Sequence, residues 1–304
     1  MNRRAWLALA LAGGVRAQAP PPIHLLVAYP PGGVSDDAAR ALAVSLGARS
    51  GGVVTVENRP GAGGTIAMEA LARSRPDGHT LCLSAITPLT LSPLLGKGLP
   101  DVVPVAAVMQ TPSLLVATRV FDGQSFADVL LQARAAPGRL RWATSGIATT
   151  GHLILEQVRA ARGIDITHVP YKGGGTQLND ALGGQFELLL TNVGALQLAY
   201  VRDGRLRPLA VGSPSRVDAL PAVPTFAELG IPAANRAAVF GVFAPAGTPP
   251  AVVAALNEAI NRALAEPGFS QRLRAAGSLP MGGSAQDFAQ RVRQETEDNR
   301  NLLR

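Results

Sequence analysis

Strand-like and helix-like patterns alternate along nearly all of this 304-residue chain, and that alternation narrows the possible folds more than any other feature. Apolar runs at 23–28, 53–57, 80–83, 114–117, 141–144, 166–169, 186–190 and 206–211 have the length and the flanking turn residues of buried strands. Between and after them, residues 37–46, 65–74, 125–136, 152–162, 176–182, 193–203 and 251–265 carry apolar residues at helical spacing. Alternation of this kind predicts an α/β architecture with mainly parallel sheets. Two segments, 111–120 and 210–216, read as crossings into and out of a central unit. They divide the chain into a discontinuous domain, 20–115 with 216–304, and an inserted domain, 116–215. Two domains joined by two crossings form a hinge around a cleft.

The first nineteen residues have a different character. Arg3 and Arg4 precede an apolar segment, 5–12, and the small-residue sites around Ala17 and Ala19 follow. This is the pattern of a cleavable secretory signal, cut after Ala17 or Ala19, and the paired arginines also admit the twin-arginine route. The apolar run is too short to span a bilayer, and no later segment offers about 18 uninterrupted apolar residues. The mature chain is therefore expected to be soluble and periplasmic.

The formal charge is +7, but Arg3, Arg4 and Arg16 belong to the leader, leaving 25 basic against 21 acidic residues. No basic run is interleaved with aromatics, which argues against a nucleic-acid partner. The single cysteine, Cys82, lies in a strand pattern and reads as a small core residue. The four histidines show no metal-ligand spacing, and there is no Gly-x-Ser-x-Gly elbow. Neither a cofactor nor a metal nor a catalytic group is expected, and the chain is expected to act as a monomer.

Three loops between strand and helix patterns carry the chemistry. The first is Pro30-Pro-Gly-Gly-Val-Ser-Asp36, with Ser35 or Asp36 as the expected helix cap. The second is Thr144-Ser-Gly-Ile-Ala-Thr-Thr-Gly151, and the third Tyr171-Lys-Gly-Gly-Gly-Thr176. A strand that turns through glycine into a helix leaves free N–H groups at the positive end of the helix dipole, an arrangement that holds anions. It is not a nucleotide loop, because no Gly-Lys-Ser/Thr follows. In open α/β sheets ligands sit outside the carboxyl ends of strands, where these loops fall.

Together with Arg40, the first loop resembles the opening motif of the Bug receptors, the periplasmic substrate-binding proteins of tripartite tricarboxylate transporters. Val56-Glu-Asn-Arg-Pro-Gly-Ala-Gly-Gly64, Arg75-Pro-Asp-Gly-His-Thr-Leu81, His168-Val-Pro-Tyr-Lys-Gly-Gly174, Leu182-Gly-Gly-Gln185 and Arg207-Pro-Leu-Ala-Val-Gly-Ser213 continue the likeness in order. The resemblance implies a type II periplasmic-binding-protein fold, with two α/β domains joined by a two-crossing hinge around a ligand cleft. It implies capture of a small carboxylate and its delivery to membrane permease subunits. It places Gly32, Gly33, Val34, Ser35, Asp36 and Thr87 on one jaw, and Thr144, Thr149, Thr150, Tyr171, Lys172, Gly173 and Asn192 on the other.

Two stretches depart from the family pattern. Residues 84–90 run Ser-Ala-Ile-Thr-Pro-Leu-Thr where the family is commonly small and polar, and the second loop has Ala148 in place of a usual glycine, next to Ile147. Ile86 and Ile147 in the pocket would favour an apolar-bodied carboxylate over citrate; alternatively, Ile86 and Leu89 point into the core. A ligand sensor that signals to a kinase is the competing function, and an enzyme acting on carboxylates is disfavoured by the lack of a nucleophile–base pair.

Overall fold

The computed structural model describes residues 21–303, so the leader lies outside the described residues. Two α/β lobes share one curled sheet of ten strands. In the first lobe, β1 (Ile23–Val27) lies between β2 (Val54–Asn58) and β3 (Thr80–Ala85), all parallel. The connecting helices are α1 (Val34–Ser50) and α2 (Thr65–Ala72), and a single turn, α3 (Thr87–Thr90), follows β3.

Strand β4 (Val102–Ala117) then runs through both lobes. Its first eleven residues pair antiparallel with β9 (Ala237–Pro245), which also pairs antiparallel with β3. From Ser113 onward its partners are β7 (Leu188–Asn192) and β8 (Arg207–Gly212), again antiparallel. The chain therefore passes between lobes at Pro112–Ser113. The second lobe is completed by α4 (Phe126–Ala135), β5 (Arg141–Thr144), α5 (Thr150–Arg162), β6 (Thr167–Pro170), α6 (Gly174–Gly183) and α7 (Ala195–Arg202). Strands β6, β5 and β7 are parallel neighbours. The expected parallel pairing thus holds for the outer strands of each lobe, whereas the strands joining the lobes are antiparallel.

Residues that follow β8 stay with the second lobe. Leu220 and Val223 pack on one face of its sheet, Phe226 and Ile231 on the other. The first lobe resumes at β9 and closes with α8 (Pro250–Leu264), α9 (Pro267–Ala275), β10 (Leu279–Pro280) and α10 (Ala285–Leu302). Helix α10 starts with a capping box, Ser284 with Asp287. At its other end Asn299 Nδ2 donates to the Thr90 carbonyl (3.2 Å), and the Leu302 carbonyl accepts from Gln157 Nε2 (3.3 Å) on α5. This last helix therefore touches both lobes.

Each lobe buries its own aliphatic core, and Cys82 sits fully buried in the first, its thiol pushed up by that burial. Phe288 of α10 lies directly over Gly241 of β9. A methyl group there would fall 2.1 Å from Phe288 Cζ and 2.7 Å from the Ala106 carbonyl. Gly241→Ala is expected to destabilise the fold by about 1–3 kcal/mol through overpacking. Urea unfolding should show a lower midpoint with an unchanged slope.

Candidate functional site

One carboxylate shapes the first loop. Helix α1 begins at Val34 with Gly33 as its N-cap (φ −88°, ψ 169°), ahead of Ser35 and Asp36, the residues expected to cap it. Asp36 lies in the first turn and reaches back. It accepts from the Gly32 amide (3.1 Å), Arg40 Nε (3.1 Å) and Asn58 Nδ2 (2.9 Å). Asn58 also donates to the Tyr29 carbonyl (2.9 Å), and Arg40 to Asn58 Oδ1 (3.1 Å). Burial alone would raise the Asp36 pKa, but the hydrogen bonds from Arg40, Asn58 and Gly32 outweigh it and hold the carboxyl below its ordinary value. The two most distinctive sequence motifs, 30–36 and 56–64, are thus locked to each other.

The second loop is tied down from within. Thr149 caps α5 through His152 N (3.3 Å), and its hydroxyl donates to the Gly146 carbonyl (2.7 Å). Thr144 Oγ1 lies 2.7 Å from His168 Nε2, and the Ala148 amide donates to His152 Nδ1 (3.4 Å). Ala148 holds a left-handed φ of 59°, the conformation that favours glycine. The rings of His152 and His168 stack with centroids 4.7 Å apart. Burial, and then the proximity of His152, push His168 down to about 4; burial also lowers His152.

A cavity of about 50 Å³ lies between the lobes where these loops meet. From the first lobe it is lined by Tyr29, by Gly33, Val34 and Ser35 at the start of α1, and by Ala85 and Thr87 after β3. Ala238 and Phe240 of β9 and Ser113 of β4 form its floor near the crossing. The second lobe contributes Ser145, Thr149, Thr150 and Gly151 at the start of α5, and Gly174 and Gln177 at the start of α6. Leu190, Thr191, Asn192 and Gln197 complete the wall. Three helices of eight or more residues, α1, α5 and α6, thus begin at the cavity. No Asp, Glu, Lys, Arg or His lines it. Tyr29, its hydroxyl pushed up to about 12 by burial, sits against the hydroxyls of Ser84 and Thr87.

The structure therefore brings Gly33, Val34, Ser35, Thr87, Thr149, Thr150 and Asn192 together around one space. It leaves the other candidates outside it. Gly32 and Asp36 shape the loop from behind, and Thr144 is engaged by His168 and Gly146. Tyr171 donates to Asp180 Oδ2 (2.6 Å), which with burial raises its pKa, and Lys172 is not on the cavity wall. Gly173 packs against Pro30, where a methyl would lie 2.2 Å from the ring. Ile86 belongs, with Leu89, to the first lobe's core, and Ile147 is 53% exposed and off the cavity. Ile86 thus follows the alternative reading, in the core with Leu89, and neither it nor Ile147 builds the cavity; the wall mixes hydroxyls, amides and backbone with apolar surface from Val34, Leu190, Ala238 and Phe240.

The lips of the cleft meet through glycines. A methyl on Gly175 would lie 2.6 Å from the Pro31 carbonyl, and one on Gly63 2.8 Å from the Ile147 carbonyl. Gly194 similarly faces Val34, at 2.7 Å.

With that geometry in view, the comparisons are decisive. Residues 38–304 match the model of the tripartite tricarboxylate transporter family receptor. The chain belongs to that family. BugT of Bordetella pertussis is 38% identical over 86% of this chain and 81% of its own length. The structure of the periplasmic binding protein BugD superposes with a TM-score of 0.85 at 28% identity, covering 93% of this chain and 96% of that one. MatC from Rhodopseudomonas palustris, solved with bound malate, gives 0.86 at 28% identity, covering 93% and 99%. Members of this receptor family are periplasmic binding proteins rather than enzymes. Among the described residues no helix is long and apolar enough to cross a membrane, and no group of acidic, histidine or cysteine side chains is placed to hold a metal.

Sequence reasoning missed Tyr29, Ser113, Gln177, Gln197 and Phe240. Gln177 had a signal, since it lies one residue past the third loop in the first turns of α6. Ser113 and Phe240 had none, because only the strand register carries them under the cleft.

The stacked histidines give a pH prediction with a definite sign. Their folded-state pKa values lie below the ordinary histidine value, so the unfolded chain takes up protons first as pH falls. Stability is expected to decline from about pH 6.5 toward pH 4, and His168→Gln to flatten that decline, as read from urea midpoints across the range.

Proposed function

We propose that this chain is an extracytoplasmic solute receptor that captures a small carboxylate in the interlobe cavity and delivers it to the permease subunits of a tripartite tricarboxylate transporter. The observation that carries the reading is the convergence of three helix N-termini on a cavity with no charged side chain. An anion placed there meets backbone N–H groups at the positive ends of helix dipoles, together with hydroxyl and amide donors. A cation would meet no compensating charge. The malate in MatC supports the same class of ligand.

The affinity is reachable without a lysine or arginine. Each hydrogen bond to a charged acceptor contributes roughly 1.5–3 kcal/mol, and a micromolar complex needs about 8 kcal/mol net. Four or five bonds, less desolvation and ordering costs, reach that scale. Because the donors come from both lobes, the full set exists only with the cleft closed. Ligand therefore draws the hinge equilibrium toward closure by its differential affinity.

The moving bodies in this reading are the two lobes, turning about Pro112–Ser113 and Arg236–Ala237. The packing of Leu220, Val223, Phe226 and Ile231 favours a return crossing there rather than at 210–216. Export by the leader at 1–19 would place the receptor, as a monomer, in the periplasm.

Thermal unfolding in a panel of mono-, di- and tricarboxylates, sugars and arginine tests the reading. A ligand present at 100 times its Kd adds about 2.7 kcal/mol of stability, so one or more carboxylates should raise Tm by several degrees. Stabilisation by arginine or a sugar and by no carboxylate would overturn it. Gly175→Ala should keep the fold but wedge the lips apart. That variant is expected to bind the stabilising carboxylate at least tenfold more weakly, about 1.4 kcal/mol, and to show a larger radius of gyration in X-ray scattering.

A further inference from the structure

Among the described residues, two side chains on the cavity wall hold a buried polar atom without a hydrogen-bond partner, the Thr87 hydroxyl and the Gln177 amide, and only the amide has both a donor and an acceptor end fixed by one planar group. The Gln177 side chain is 1% exposed and lines the cavity from the first turns of α6. Its Oε1 is fully buried without a hydrogen-bond partner. Its neighbour Gln197 is different, for its Nε2 donates to Thr191 Oγ1 (3.3 Å). A buried amide left unpaired is costly, and the groups that repay it must match both ends, an acceptor for the N–H and a donor for the carbonyl. That requirement is the same whichever way the amide is turned.

A carboxylate with a donor on the adjacent carbon offers that pair side by side. The donor can be a hydroxyl or an ammonium, and the charge of the site separates them. No Asp or Glu lines the cavity, and the nearby Asp36 is already engaged by Arg40, Asn58 and Gly32. An ammonium would enter beside three positive helix ends with no counter-charge, whereas a hydroxyl brings none.

Resting on the carboxylate reading above, we propose that Gln177 is the specificity-determining residue of this receptor and that it selects carboxylates bearing a hydroxyl on the adjacent carbon. The amide N–H holds a carboxylate oxygen while the amide carbonyl accepts from the hydroxyl. A ligand lacking the hydroxyl leaves the carbonyl unpaired, and sites of this kind discriminate strongly against such analogues.

Calorimetric titration with matched pairs tests the proposal: malate against succinate, lactate against propionate, and aspartate as the ammonium counterpart of malate. The wild-type receptor is expected to bind the hydroxy acid of a pair at least about tenfold more tightly than its unsubstituted partner, and more tightly than aspartate. In Gln177→Leu and Gln177→Met both acids of a pair should bind more weakly, the unsubstituted one by about tenfold through loss of the N–H to its carboxylate, while the preference within the pair should fall below about threefold. A cooperative thermal unfolding transition in the absence of ligand, at a Tm close to that of the wild type, shows that the variants are folded. Equal binding within each pair by the wild type, a preference that survives both variants, or tighter binding of aspartate would overturn the assignment to Gln177 and the hydroxyl. If no carboxylate binds the wild type at all, the carboxylate reading itself fails, and this proposal with it.

Discussion

Strand β4 is the constraint on which the rest of the molecule depends. Sixteen residues of continuous extended backbone pair with β9 in one lobe and with β7 and β8 in the other. Because the same strand belongs to both half-sheets, the carboxyl ends of the parallel strands on either side come to face one another. The loops after β1, β3, β5, β6 and β7 then have one common space to open into. Pro112, at the point where the partners change, is paired on the first-lobe side with Ala237, so both connections between the lobes lie next to each other. The location of the cavity follows from strand register, before any side chain is considered.

Its chemistry follows from how charge is handled around it. The carboxylate and guanidinium nearest the first loop, Asp36 and Arg40, are spent on each other and on Asn58. Their work is to fix a backbone shape. What is offered to the cavity is dipoles: helix-start amides, hydroxyls of Ser35, Thr87 and Thr150, and the amides of Gln177 and Asn192. A site made of dipoles on rigid helix starts is already oriented before a ligand arrives, so little reorganisation opposes binding.

Much of this was legible in the sequence for a physical reason. Buried parallel strands read as short apolar runs, and glycine turns mark where they end, so β1, β2, β5, β6 and β7 with the helices that follow them, and β3 without its short helix, could be placed from pattern alone. The interlocking of Asp36 with Asn58 also left a trace, as two short motifs of polar and glycine residues. Strand β9 and the first three quarters of β4 escaped because their antiparallel pairing breaks the strand–helix alternation on which the reading relied. Ile86 was left open between pocket and core, and Ile147 was assigned to the pocket, for a related reason. In a loop, the face on which a side chain falls depends on tertiary packing, and Ile86 was taken up by the first lobe's core while Ile147 was left facing solvent. Lys172 was the reverse case, a lone charge in a suggestive loop that the cavity does not use.

The glycines at the lips carry a consequence for the energetics of motion. Bringing two protein surfaces together ordinarily restricts the side chains on both, at about 0.5–1.5 kcal/mol for each rotamer-rich group immobilised. Where Gly175 meets Pro31, Gly173 meets Pro30 and Gly63 meets the backbone carbonyls of Ile147 and Ala148, there are hardly any rotamers to lose. Apposing backbone to backbone also buries little apolar surface, so neither a large entropic penalty nor a large hydrophobic gain biases the contact. In the hinge motion proposed above, open and closed arrangements would then lie close in free energy, and a ligand of modest affinity would suffice to decide between them.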